Sequence, residues 1–187
     1  MLSFGKCDSE RKKHLLDNIP DIWNCKKILY IGASLTRFAL GDIIKKNKIQ
    51  VDVLEISSSR CKELEVYPWI NNIIEGDVKE VKNLTTNVYD LIMWIHGPSV
   101  LFTKDDVYTS INNLNDLYKH LFVIMCPWGI FSYKSKKMKK GLKDNIKKYD
   151  MNKLAFYEND FVNFDFRVSV LGEKDKKGSN LLAWKYK

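Results

Sequence analysis

Three residues in the first half of the chain are of a type, and in a place, to hold a ligand. Gly32 closes the apolar run Ile28-Leu29-Tyr30-Ile31, Glu55 closes Val51-Asp52-Val53-Leu54, and Asp77 follows Gly76 at the end of a third run. Such runs read as buried parallel strands whose last residues open onto loops at the carboxyl edge of a sheet. Ligands of open α/β sheets bind at that edge. At the first tip a glycine lets a ligand approach the backbone closely, because it carries no Cβ. At the second, a carboxylate can accept hydrogen bonds from both hydroxyls of a ribose. Glu55 follows Gly32 by 23 residues, near the roughly 20 expected between a nucleotide-loop glycine and its ribose carboxylate. The three tips together predict an adenosine-containing ligand. Asp77 is also a favoured helix N-cap, and the two uses are compatible.

The elements that must position these tips follow from hydrophobic periodicity. A helix is expected over residues 9–23, with Leu15, Leu16 and Ile19 inward and a break near Pro20. Strands are expected at 27–31, 51–55, 72–75, 89–95 and 120–126. Helices are expected at 38–46, at 60–65 behind the cap candidates Ser57-Ser58-Ser59, and from 103 or 104 to about 119. After residue 150 the pattern changes. An alternating run over 164–171 meets the polar turn Gly172-Glu173-Lys174-Asp175-Lys176-Lys177-Gly178, and a strand over 181–186 follows at once. No helix fits between the two strands, so they form an antiparallel hairpin. The predicted fold is α/β: a Rossmann-like three-layer sandwich whose mostly parallel seven-stranded sheet is closed by that C-terminal hairpin, with helices on both faces.

Bulk properties set the limits. The chain of 187 residues reads as a single domain, with a helical segment over 1–25 and the core over 26–187. No apolar run reaches the roughly 20 residues of a membrane helix, and the first residues lack the apolar stretch of a signal peptide. The four cysteines have no paired spacing and read as reduced cytosolic thiols, so a cytoplasmic location is expected. His14, His96 and His120 are too scattered for a metal motif, and no structural metal is expected. The net charge of +8 is concentrated at Lys134, Lys136, Lys137, Lys139, Lys140, Lys143, Lys147 and Lys148. That tract reads either as a solvated helix face or as a surface for phosphates.

Alternating β/α units, a terminal antiparallel hairpin and an acid at the tip of the second strand resemble the class I S-adenosylmethionine-dependent methyltransferases, over about residues 26–187. Trp94-Ile95-His96-Gly97-Pro98 and Cys126-Pro127-Trp128-Gly129 further resemble a small, poorly characterised subgroup. The resemblance implies an enzyme that uses S-adenosyl-L-methionine. Its cofactor contacts would come from Gly32, Ala33, Ser34 and Thr36 in the first loop, Glu55 and Ile56 after the second strand, Asp77 and Val78 after the third, and Ile95 at the end of the fourth. The loop departs from the family's acidic-x-Gly-x-Gly-x-Gly: Tyr30, Ser34 and Thr36 stand for the acid and the second and third glycines. The hydroxyls can still serve the cofactor's amino-acid end, although residues other than glycine restrict positive φ.

His96 lies just past the fourth strand, where the methyl group should arrive. An ordinary imidazole pKa near 6.5 suits a general base for a hydroxyl or amine acceptor, so His96 is the catalytic candidate; the alternative is a residue that only lines the site. Trp94, Trp128 and Tyr133 are candidates for an aromatic pocket, Trp94 alternatively for the core. Asp90, at the start of the fourth strand, reads as structural. Gly32-Ala33-Ser34 with Tyr133-x-x-x-Lys137 also resembles short-chain dehydrogenases, but those need glycines where Thr36 and Phe38 stand, and the terminal hairpin is wrong for them. The function expected is methyl transfer to an unidentified acceptor, a small molecule first. RNA or protein reached through the lysine tract, and a non-catalytic cofactor-binding protein, are the alternatives. The oligomeric state stays open.

Overall fold

The computed structural model describes residues 6–32, 46–95, 103–129, 156–174, 176 and 178–187. Seven strands form one sheet: β1 (Lys27–Ile31), β2 (Gln50–Glu55), β3 (Ile70–Glu75), β4 (Tyr89–Ile95), β5 (Tyr118–Cys126), β6 (Arg167–Leu171) and β7 (Asn180–Tyr186). Their order across the sheet is β3-β2-β1-β4-β5-β7-β6. The first five strands pair in parallel, and β7 lies antiparallel to both β5 and β6. The predicted sheet and its terminal hairpin are therefore present. The order reverses between β1 and β4, which makes the carboxyl ends of those two strands the topological switch point where ligands of such sheets sit.

Burial follows position in the sheet. The central strands β1, β4 and β5 are nearly continuous buried apolar runs, as strands covered on both faces must be. The edge strands β3 and β6 mix half-buried and exposed residues. One face packs Tyr30, Val53, Met93, Val123 and Leu182 against Leu15 and Ile19 of α1 (Lys6–Asn18) and Leu64 of α2 (Ser58–Leu64). The other packs Leu29, Leu54, Trp94, Ile124 and Leu181 against Val81 of α3 (Val81–Leu84), Val107, Ile111 and Leu114 of α4 (Lys104–Leu114) and Phe161 of α5 (Asn159–Val162). Helices thus cover both faces, in three layers.

The boundaries correct the sequence reading in several places. Helix α1 ends at Asn18, ahead of Pro20, and Ile22–Asn24 is a separate 3-10 turn. Strand β3 starts two residues earlier than expected, at Ile70. The helix expected to reach about 119 stops at Leu114, and β5 already begins at Tyr118. The intervening Asn115-Asp116 favours turns over helix, since such side chains compete for backbone hydrogen bonds. Two short helices, α3 and α5, carry too few residues to show a period. The helix expected at 38–46 lies outside the described residues apart from Lys46.

Asp90 is structural. Its Oδ2 accepts the backbone N–H groups of Lys26 (2.8 Å) and Lys27 (2.9 Å), and its Oδ1 pairs with Lys119 Nζ at 2.9 Å. The starts of β1, β4 and β5 are tied together at the edge opposite the switch point. Burial works against the charged carboxylate there, but Lys119 and the two N–H donors outweigh it and lower its pKa. Trp94 is also core, with 1% of its surface exposed.

Candidate functional site

The described residues bring three predicted tips, those of β1, β2 and β3, together on one edge through the parallel register. Ile31 pairs with Leu54, and Glu55 with Glu75. Gly32 N–H donates to Leu54 O at 2.8 Å, and Gly76 N–H to Glu55 O at 3.0 Å. The ends of β1, β2 and β3 therefore lie side by side.

The two glycines serve different physical needs. Gly32 has φ +88°, in the left-handed region that favours glycine, and among the described residues a Cβ there would meet nothing within 4 Å. A Cβ on Gly76 would fall 2.4 Å from Leu84 Cδ1, the end of an exposed side chain of α3 that would have to turn aside.

Glu55 is 4% exposed, and its Oε1 accepts the Ser57 N–H at 2.9 Å. A buried carboxylate needs hydrogen-bond donors to stay charged, and this local bond orients it at the strand end. Ile56 is 53% exposed, which leaves an apolar surface beside that carboxylate. Asp77 repeats the device: its Oδ1 accepts Lys79 N–H at 2.9 Å and caps the 3-10 turn Val78–Glu80. Capping was one of the two roles the sequence allowed it. Val78 and Ile95 are buried in the core, so what they offer a ligand is backbone.

Sequence reasoning missed the residues that hold the third tip to α4. Lys79 Nζ stands 3.7 Å from Asp77 Oδ2 and 3.4 Å from Asp106 Oδ1, while Asn113 Nδ2 donates to Lys79 O at 2.7 Å. Burial alone would lower the lysine's pKa, but Asp106 and Asp77 outweigh it and hold the ammonium above its ordinary range. Asp106 also closes a capping box: its N–H donates to Thr103 Oγ1, and Thr103 N–H to its Oδ2, both at 3.2 Å. The Thr103-x-x-Asp106 spacing was the available signal.

A second unforeseen cluster lies beyond β4 and β5. Lys104 Nζ donates to both oxygens of Asp160 at 2.8 Å, Tyr108 Oη donates at 2.6 Å, and Tyr157 N–H at 2.8 Å. Burial and the adjacent Asp160 carboxylate push the Tyr108 hydroxyl well above the ordinary tyrosine range. Lys104 and Lys174 also stand over the Tyr157 ring, 5.4 and 4.5 Å from its centre. Nearby, Gly129 N–H donates to Phe156 O at 3.0 Å in a short antiparallel bridge.

Ala33, Ser34, Thr36, the catalytic candidate His96, Tyr133 and the lysine tract lie outside the described residues. Among the described residues no group of three His, Cys, Asp or Glu side chains could hold a metal. Cys25, Cys61 and Cys126 are buried free thiols, and burial pushes Cys25 up to about 11, which disqualifies it as a nucleophile near neutral pH. No described helix is long and apolar enough to cross a membrane.

The strand order decides the fold. A dinucleotide-binding sheet of this type runs 3-2-1-4-5-6, whereas here an antiparallel β7 is inserted between β5 and β6. Solved structures share this architecture across nearly the whole chain. The N-methyltransferase NodS of Bradyrhizobium japonicum WM9 superimposes with TM-score 0.66 at 14% identity, covering 99% of this chain and 98% of that one. The chain has the class I methyltransferase fold. The same fold is seen in magnesium protoporphyrin IX methyltransferase (ChlM) of Synechocystis PCC 6803 with bound SAH (TM-score 0.60, 11% identity, 96% of this chain and 81% of that one). It recurs in a SAM-dependent methyltransferase of Archaeoglobus fulgidus (TM-score 0.59, 16% identity, 95% and 94%). No family model matches the sequence, and no curated protein matches it. The class I fold here is thus carried by geometry at identities where sequence no longer speaks.

Proposed function

We propose that this chain is a single-domain methyltransferase, spanning 1–187, that takes its methyl group from S-adenosylmethionine. The observation that carries the reading is Glu55. It is a buried carboxylate at the tip of β2, next to Gly32 at the tip of β1, where the order of a class I sheet reverses. The described residues fit the cofactor. Gly32 leaves room for close backbone approach, Glu55 can accept from the ribose hydroxyls, Ile56 offers an apolar surface to a base, and Asp77 can accept from the adenine amino group. Neighbouring folds crystallised with SAH or SAM support this choice.

When bound, the cofactor supplies a methyl group on a sulfonium, open to in-line displacement. The chain's own part is to position, to exclude water and to receive a proton. His96, one residue past the end of β4, is the proposed proton acceptor. Ala33, Ser34 and Thr36 are proposed to hold the cofactor's amino-acid end. A small-molecule acceptor is proposed because the methyltransferase fold accounts for nearly all of the chain.

Calorimetric titration of the full chain with S-adenosylmethionine and S-adenosylhomocysteine tests the reading. Saturable binding of both at micromolar concentration is expected. No heat of binding at millimolar concentration would overturn it. His96→Ala is expected to bind the cofactor normally and to lose turnover, and full turnover in that variant would leave positioning as the whole of the chemistry.

A further inference from the structure

The amino ends of β2 and β3 carry a cavity that the cofactor reading does not use. It measures about 470 Å³, and Lys48, Gln50, Pro68, Trp69 and Asn71 are among the residues that line it. That size lies within the range of small-ligand sites. Five residue steps separate Gln50 from Glu55 along β2, so the cavity stands about 17 Å from the carboxylate tip. The two lie at opposite edges of the sheet.

Three kinds of group meet there. The first is the half-buried Trp69 indole, braced by the Tyr67 ring at 5.5 Å between centres. The second is a pair of exposed carboxamides, Gln50 and Asn71. Asn71 is held in place: its Nδ2 donates to Asp52 Oδ1 at 2.8 Å, and that buried carboxylate also takes the Tyr89 hydroxyl at 2.9 Å. The Asn71 oxygen and the Gln50 side chain have no hydrogen-bond partner among the described residues. The third is cationic. Lys48 is exposed, and Lys26 Nζ donates to Asn47 O at 3.2 Å, which puts a second ammonium at the same turn. Neither pairs with a carboxylate among the described residues.

A flat ring, free amides and unpaired ammoniums together suit a nucleotide. The base stacks on the indole, its polar edge bonds the amides, and its phosphate meets the cations. A neutral sugar would use the ring and the amides but leave both ammoniums idle. We infer that this cavity is a second ligand site, separate from the cofactor's, that binds a nucleotide unit, free or within a single strand. Stacking is tolerant of the base, and every base edge offers both a donor and an acceptor, so no one base is specified.

The test is calorimetric titration of the full chain with uridine, uridine 5′-monophosphate and hexauridylate, with S-adenosylhomocysteine kept in excess. Uracil compounds are used so that the adenosine site does not compete. Saturable binding of the monophosphate below about 1 mM is expected, and weaker binding of uridine. Hexauridylate binding about tenfold tighter than the monophosphate assigns the site to a single strand; no gain assigns it to the free nucleotide. Trp69→Ala should weaken the monophosphate by about tenfold or more, the usual cost of a lost stack, and leave S-adenosylhomocysteine affinity within about threefold. Trp69→Phe, which keeps a ring, should lose less than the alanine variant and covers the case in which that variant folds poorly. Lys48→Asn removes the ammonium at a residue whose φ of +51° asparagine tolerates. It should weaken the monophosphate by about threefold or more and leave uridine unchanged. No saturable binding of the monophosphate or hexauridylate at about 10 mM, or wild-type affinity for the monophosphate in Trp69→Ala or Lys48→Asn, overturns the inference. S-adenosylhomocysteine binding is read separately, so the cofactor reading stands or falls by itself.

Discussion

Carboxylates in two regions of the molecule are used in opposite ways. On the side of β2 and β3, Glu55 and Asp77 each accept the backbone N–H two residues further on. Those bonds are local and fix the carboxylate where the strand ends. On the side of β4 and β5, Asp160 accepts from Lys104 twice, from Tyr108 and from the Tyr157 backbone. Its donors come from α4 and from the turn into α5, and its capacity is spent on protein. A carboxylate that gathers donors from distant elements holds those elements together; one that accepts from its own loop sets the geometry of that loop. By that contrast, the first side fixes the strand ends and the second clasps α4 to the turn into α5.

Four experiments break or sharpen the contrast. The largest effect is expected from Asp160→Ala, which strands the Lys104 ammonium, the Tyr108 hydroxyl and the Tyr157 N–H. Urea unfolding should show a loss of about 3 kcal/mol, with affinity for S-adenosylhomocysteine changed less than about threefold. A variant of unchanged stability would remove the clasp. Glu55→Ala is expected to do the reverse, weakening S-adenosylhomocysteine by about a hundredfold through the loss of charge-assisted hydrogen bonds while stability moves by less than about 1 kcal/mol. Wild-type affinity in that variant would remove the ribose assignment.

Thr103→Ala opens the capping box that sets Asp106. A loss of about 1 kcal/mol in thermal or urea unfolding is expected. The smallest effect concerns acid. The folded pKa of Asp90 lies below its ordinary value of 3.8, so its contribution is present above that value and is lost as pH falls through the folded one. Melting temperature followed from pH 5 downward should therefore fall less steeply in Asp90→Asn than in wild type. Parallel curves would show that the tie among β1, β4 and β5 is electrostatically idle.

How much of this the sequence shows follows the same division. Glu55 and Asp77 are legible because each closes an apolar run, and the spacing from Gly32 carries the meaning. The hairpin is legible because no helix fits into the turn before Asn180. Lys79 and Asp106 stand 27 residues apart, and Lys104 and Asp160 stand 56 apart. Nothing in local pattern or spacing pairs such residues, since only packing of α4 brings them together. Helix α4 itself was read too long because its apolar period runs on through Leu117, which is buried although the helix has already ended.

The Gly129–Phe156 bridge joins positions that are 27 residues apart in the sequence. With Gly129 N–H held on Phe156 O, the exit of β5 and the approach to α5 are set against each other by a hydrogen bond of their own, so the two flanks of the scaffold meet without leaning on the sequence between them.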